Sequence, residues 1–350
     1  PMIAVLALPR RFHVRIAWRD LQDLVVRVFT GHQVDPEIAD IVAAALLRAE
    51  ADGISSHGLA RVAPYADQAM SGKVDGFARP VVSHPAPGVV HVDARTGFAF
   101  PAIDAGLTAA EASVTDQGLV AVAIAQSHHF GVAGHHVERL AERGLIGLAF
   151  SNTPAAIAPW GGQQAIYGTN PIAFACPRAA APPLVIDLSV STVARGKVVL
   201  AAQRGEEIPA DWAFDVAGGP TTDSRAAFEG TMAPLGGASA GAKGAALALM
   251  VELLCGALTG SNFGHQGSSF FDAEGPPPAV GHLIVVIDPA RFGNGGTFAA
   301  RAEDLFGAIL EQPGTRLPGD RRLGLRARVA DAGFEIPDDL HQELVARAAG

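Results

Sequence analysis

Ser56, His57 and Arg61 are the residues of this sequence best placed to do chemistry together. His57 and Arg61 are four positions apart, and the spacing predicts that both lie on one face of a helix opening near residue 56. An imidazole can give or take a proton near neutral pH, and a guanidinium can grip a carboxylate through paired N–H donors. The pairing suits reduction of a small acid, where one group protonates the new oxygen or amine while another holds the acid still. Taken alone, the segment is more simply a capping Ser55 or Ser56 beside a surface histidine and arginine.

Four further segments carry polar groups at element ends. Ser127, His128, His129, Phe130 and Gly131 lie between a predicted strand and a helix, where loops carry function. His128 and His129, with His135 and His136, invite a metal reading. Adjacent histidines face different ways, however, and no Cys or carboxylate cluster completes a ligand set, so no metal is expected. Thr169 and Asn170 precede an apolar strand. Asp187, Leu188 and Ser189 end another, where a carboxylate can accept from a sugar hydroxyl, orient a histidine or cap a helix. Residues 236–244 are glycine-rich and directly precede a helix, with Lys243 among them. Glycines let amides approach an anion at a helix N-terminus; a flexible loop accounts for the composition equally well. Neither G-x-G-x-x-G nor a Walker A pattern occurs.

Helices are predicted over 18–30, 36–52, 56–71, 101–117, 132–143 and 298–310, the second opened by Asp35 as cap with Pro36 at its first turn. Strands are predicted over 89–92, 119–125, 146–151, 172–175, 184–188 and 281–287. The strand–helix alternation over 119–151 by itself suggests a parallel sheet. Residues 203–233 and 262–280 read as surface excursions rich in turn formers.

Composition bounds the rest. The chain has 350 residues, 49% of them hydrophobic, and a formal net charge of −9. Its basic residues are scattered, which argues against nucleic acid as a partner. Cys176 and Cys255 are the only cysteines, too few for a disulfide framework or a Cys-rich zinc site. The most hydrophobic stretch, 245–259, is too short to span a bilayer and contains Glu252, so no membrane association is expected. Residues 1–11 read as a tail, lacking a basic leader and cleavage signal. A cytoplasmic protein is expected.

The motifs in order are Ser-His-Gly-x-x-Arg at 56–61, Ser-His-His-Phe-Gly at 127–131, Gly-Thr-Asn-Pro at 168–171, Asp-Leu at 187–188 and Lys-Gly at 243–244. Together they resemble the non-Rossmann malate/L-lactate dehydrogenase family. That family includes ureidoglycolate and sulfolactate dehydrogenases, diketogulonate reductase, and reductases of Δ1-piperideine-2-carboxylate and Δ1-pyrroline-2-carboxylate. The resemblance spans about 14–340. It implies an α/β fold with a largely antiparallel central sheet, a non-Rossmann cofactor domain at 119–299, and a helical substrate and dimerisation unit formed by 12–118 with 300–350. It implies a homodimer.

By the same resemblance His57 is the proton donor with Ser56 beside it, and Arg61 and Thr169 bind substrate. His129, Phe130, Gly131, Asp187, Leu188, Ser189, Ala242 and Lys243 match cofactor contacts. Arg316, Pro318, Gly319 and Arg322 look like the segment that touches NADPH in ketimine reductases. Arginines there suit a 2′-phosphate, so NADPH is expected before NADH. Ketimine reductases carry an aspartate where this chain has Lys197, and a lysine cannot orient a histidine N–H as a carboxylate does. Lys197 could instead polarise a carbonyl or hold cofactor phosphate. The implied reaction is hydride transfer to the α-carbon of a small 2-oxo acid; the alternative substrate is a cyclic imino acid. A helix start at His57 predicts a lowered pKa for it.

Overall fold

The structure, a computed structural model, describes residues 13–293 and 297–350. The tail read at 1–11 lies outside them. β1 (His13–Ile16) leads into α1 (Trp18–Gly31), whose buried residues Leu21, Leu24, Val25, Val28 and Phe29 are those of its predicted apolar stripe. α2 (Pro36–Ala51) opens as expected: Asp35 Oδ1 accepts from the amides of Glu37 and Ile38 at 3.0 and 3.3 Å.

The single helix predicted from residue 56 is replaced by two 3₁₀ turns, Ser55–His57 and Leu59–Arg61, before α3 (Val62–Ser71). Glu50 is the physical reason. Its carboxylate takes the Ser55 hydroxyl at 2.7 Å and the Leu59 amide at 2.9 Å. The chain passes so close that a Cβ at Gly58 would stand 2.3 Å from Glu50 Oε2.

β2 (Val81–Ala86), β3 (Val89–Asp93), α4 (Ala99–Gln117), β4 (Leu119–Ser127), α5 (Ala133–Ala141), β5 (Ile146–Ser151), β6 (Ile172–Cys176) and β7 (Leu184–Leu188) follow. Next come α6 (Arg195–Arg204), β8 (Ala213–Phe214), α7 (Ser224–Glu229), β9 (Thr231–Met232), α8 (Gly237–Ala240), α9 (Ala242–Glu252) and β10 (Val280–Ile287). The chain ends with α10 (Phe298–Leu310), α11 (Asp320–Ala332), β11 (Phe334–Pro337) and α12 (Asp338–Ala348).

The central sheet has seven strands in the order β2-β3-β4-β10-β5-β6-β7, and only β3–β4 is parallel. The alternation that suggested a parallel sheet is real but interrupted. β4 and β5 both run antiparallel to β10, hence parallel to each other, yet β10 inserts between them from 130 residues downstream of Phe150 — Leu283 faces both Ala123 and Phe150. Period reading finds strands but not their neighbours.

A helical core joins α1, α2 and α3 to Phe334, Ile336 and Leu344, and β1 pairs antiparallel with β11, so the two ends of the chain form one unit. The expected boundary at 118/119 falls inside the sheet: β3 and α4 share one hydrophobic cluster with β4 and α5. Residues 203–233 are not a bare excursion. They contribute β8, α7 and β9, and Ile208, Ala213, Ala227 and Met232 pack with Ile157 and Val190 in a small core. Residues 262–280 are irregular, but they are not peripheral: Phe270 is buried against the groups described next.

Candidate active site

His57 ends the first 3₁₀ turn, with its Nδ1 3.0 Å from the Ser56 hydroxyl. Arg61 ends the second and is buried. Its Nε donates to the Ser56 carbonyl at 2.8 Å and its Nη1 to the Phe270 carbonyl at 3.4 Å, while its Cζ lies 4.4 Å over the Phe271 ring. Among the described residues no carboxylate comes within 4.0 Å of this guanidinium. A buried cation without a counter-charge is costly, and the natural relief is a bound anion.

The rings of His57 and His129 lie 5.2 Å apart. Burial first, and then the charges of Arg61 and His135, push the His57 pKa down to about 4. The expected lowering is present, but its cause differs: the short turn offers no α-helical dipole, and desolvation does the work.

β4 delivers the histidine pair. The Tyr65 hydroxyl hydrogen-bonds to His129 Nδ1, and both side chains are buried. Burial raises the Tyr65 pKa, so the phenol stays protonated and donates; the neutral His129 then carries its proton on Nε2. His128 turns the other way, its Nε2 2.8 Å from Gln68 Oε1 and its Nδ1 without a partner. His135 binds Asp52 and His136 binds the Phe130 carbonyl, so the four histidines face four different partners.

A strap formed by Phe270, Phe271 and Asp272 covers this cluster. The Phe270 ring sits 5.4 and 4.9 Å from the rings of His128 and His129. Gln68 Nε2 donates to the Asp272 carbonyl at 2.8 Å, and the buried Lys73 ammonium meets both that carbonyl and Asp272 Oδ1 at 3.0 Å. Sequence reasoning missed Tyr65, Gln68, Lys73 and the strap. Arg61, Tyr65 and Gln68 recur at i, i+4 and i+7, a helical spacing that could have shown the first two of these.

Thr169 lies beside Thr153: its amide donates to Thr153 Oγ1 at 3.0 Å, and the two hydroxyls are 3.5 Å apart. The neighbouring buried Glu252 accepts from Gly168 N, Asn170 Nδ2, Asn152 Nδ2 and Gly264 N at 2.9–3.1 Å. This fully bonded carboxylate ties the Thr169 loop to the root of the strap.

The expected cofactor residues divide into several places. Gly131 has φ +70°, and a Cβ there would stand 2.7 Å from Phe100 Cε1. Phe130 is buried between the rings of His136 and His282, at 4.5 and 4.4 Å. Asp187 Oδ2 accepts from the Gly134 amide at 2.7 Å, capping α5. Leu188 is exposed, and Ser189 Oγ lies 3.0 Å from Ser191 Oγ. Ala242 and Lys243 are exposed on the first turn of α9. Arg316 and Pro318 are exposed, and Gly319 (φ +92°) precedes α11. Arg322 points inward, its Nη2 3.2 Å from Glu138 Oε1. Lys197 is exposed on α6 with its ammonium 5.7 Å over the Trp212 ring, a contact outside the histidine cluster.

A profile described as malate/L-lactate dehydrogenase matches residues 16–345. The chain is 53% identical over 335 residues to a (2R)-3-sulfolactate dehydrogenase (NADP(+)) of Chromohalobacter salexigens, covering 95% of this chain and 98% of that protein. It is 39% identical to a Δ1-pyrroline-2-carboxylate/Δ1-piperideine-2-carboxylate reductase of Pseudomonas aeruginosa, covering 95% of this chain and 99% of that one. The crystal structure of Δ1-piperideine-2-carboxylate reductase from Pseudomonas syringae superposes with a TM-score of 0.89 at 38% identity, covering 95% of this chain and 99% of that chain.

Proposed function

The chain belongs to the malate/L-lactate dehydrogenase family, and from that premise we propose that it reduces a small 2-oxo acid with NADPH, Arg61 holding the carboxylate and His57 supplying the proton. It is an NAD(P)H-dependent oxidoreductase of a small acid or imine. The observation that carries the finer reading is the buried guanidinium of Arg61, uncompensated by any carboxylate among the described residues and one short turn from His57.

In this reading the substrate carboxylate pairs with Arg61 and fixes the face of the α-carbon. Bound NADPH supplies the hydride. His57 donates a proton to the carbonyl oxygen, and takes it back in the oxidative direction. Pairing Arg61 with an anion removes one of the charges that depress the His57 pKa, so substrate arrival favours the protonated donor. Tyr65, through His129, keeps a defined N–H at the wall of the site, and the Phe270 strap excludes water. The residues present suit a dinucleotide phosphate: Arg316 and Arg321 are exposed and make no ion pair among the described residues. Arg322, by contrast, is already engaged with Glu138. Relatives at 53% and 39% identity support an acidic 2-oxo acid first and a cyclic imine second.

We also propose a cytoplasmic homodimer. Among the described residues no helix is long and apolar enough to cross a membrane. α9 is apolar on both sides, its inner face burying Ala245, Ala248 and Val251 while Leu249 and Met250, and Leu253 just beyond its end, stand exposed. Such a helix is expected to be covered.

The test is NADPH oxidation measured side by side with pyruvate, oxaloacetate, 3-sulfopyruvate and Δ1-piperideine-2-carboxylate. Turnover of an oxo acid supports the proposal. Turnover of the imine alone moves the assignment to ketimine reduction, and no turnover of any substrate overturns both.

A further inference from the structure

We infer that Arg326 is a positioning residue for the reaction proposed above, pinning from α11 the segment that carries His57 and Arg61. The pin is a two-pronged ion pair. Arg326 Nε and Nη2 donate to Asp52 Oδ1 and Oδ2, each at 2.7 Å. The same guanidinium reaches Glu138 through Nη1 at 3.2 Å and Nη2 at 3.0 Å. The Asp52 side chain is wholly buried and also meets His135 Nε2 at 2.8 Å. Glu138, equally buried, further receives Arg48 at 2.8 Å and Arg322 at 3.2 Å. Three elements therefore meet at two buried carboxylates: the end of α2, the middle of α5 and the face of α11.

Asp52 is five residues before His57, and between them the chain returns to α2 through the Ile54 amide on the Ala49 carbonyl at 2.9 Å and the Ser55 hydroxyl on Glu50. Gly53 turns with φ +74°, and a Cβ there would stand 2.8 Å from Leu325 Cδ1, so α11 lies directly on the turn. Beyond it come the two 3₁₀ turns, tied back to α2 through Glu50, the second also held by buried Leu59 and by Arg61 at the Phe270 carbonyl. α11 itself buries no residue fully, so its docking depends on these ion pairs together with Leu325 and Val329. A paired guanidinium with fork geometry holds a carboxylate in orientation as well as in place, which a point charge cannot do. Loss of the fork would let Asp52, and with it the Ser56–Arg61 turn, relax by fractions of an ångström. Such shifts at a reacting group lower turnover without removing any group that touches substrate.

The experiment compares Arg326→Gln and Arg326→Lys with the parent in two readouts, steady-state kinetics and amide hydrogen exchange across residues 52–61. Glu138 keeps Arg48 and Arg322 in both variants, and Asp52 keeps His135, so the fold has compensating partners. Arg326→Gln is expected to lower kcat on the order of tenfold or more, with the KM for NADPH changed less than about twofold. Exchange over 52–61 should quicken about tenfold, and Arg326→Lys should recover part of both effects. Parental kcat with parental exchange over 52–61 in Arg326→Gln overturns the inference. The exchange readout needs no substrate. If the parent turns over no oxo acid, the functional reading fails while exchange still decides whether Arg326 pins the segment.

Discussion

The Nε of Arg61 donates to the backbone carbonyl of Ser56 at 2.8 Å. The residue that would hold the substrate thereby also fixes the peptide that precedes the proton donor. Anion binding and proton delivery are joined in one short loop.

The first consequence concerns Arg61 itself. Arg61→Ala should raise the KM for the oxo acid and lower kcat as well, because it removes the carboxylate clamp and frees the Ser56 carbonyl. A combined loss in kcat/KM of at least about 100-fold, on the order of 3 kcal/mol, is expected for a lost charge-assisted pair. Steady-state kinetics with the preferred acid checks it, and an unchanged KM would reassign the clamp.

Binding should also be coupled to a proton. His57 is held down to about 4 in the free site by burial and then by Arg61 and His135. It is therefore neutral at pH 7, whereas the reaction needs the imidazolium. The acid must bring a proton with it, and its affinity should fall by up to about tenfold per pH unit from about pH 4, the value in the free site, up to the raised pKa of His57 in the complex. Calorimetry with a non-reacting oxo-acid analogue and NADPH, repeated in buffers of different ionisation heat, should show uptake approaching one proton. Zero uptake would separate His57 from the anion site.

Stability should decline in mild acid. His128 and His282 are fully buried and each is pushed down to about 3, burial being the largest cause for both. Their folded pKa values lie below the unfolded value near 6.5, so the unfolded chain takes up protons first as pH falls. Stability is whole above about pH 6.5 and drops by roughly 1.4 kcal/mol per unit for each histidine, approaching 3 kcal/mol for the pair. Against a total of about 5–15 kcal/mol, two units suffice for a large loss. Urea midpoints should shift steadily downward from pH 6.5 to 5; a flat profile would contradict the burial of neutral imidazoles.

Much of this architecture was legible from residue types, because it is local. The apolar stripe of α1 and the Asp35 cap of α2 follow from helical geometry alone. Ser56, His57 and Arg61 were found as a group by spacing, although the continuous helix expected for them does not form. Their turn depends on Glu50, a side chain whose reach back to Leu59 no periodicity encodes. Long-range placement was hidden for the same reason. Nothing in residues 119–151 announces that β10 will arrive between β4 and β5. Nothing in the turn-rich stretch 262–280 announces that Phe270 will close over His128 and His129 and Phe271 over Arg61. Arg322 shows the same limit: its type suits a phosphate, and no spacing announces that Glu138 and Asp52, buried carboxylates on other elements, lie 3.2 and 4.0 Å from its guanidinium.

Proton delivery rests most directly on His57. Replacing it by alanine removes the only group assigned to proton delivery and leaves Arg61 and the cofactor residues in place. The measurement is single-turnover NADPH oxidation with saturating oxo acid, alongside NADPH affinity from fluorescence quenching. The rate should fall between about 100-fold and 10,000-fold, with NADPH affinity changed less than about twofold. A variant that oxidises NADPH at the parental rate would contradict the assignment of His57 as the donor.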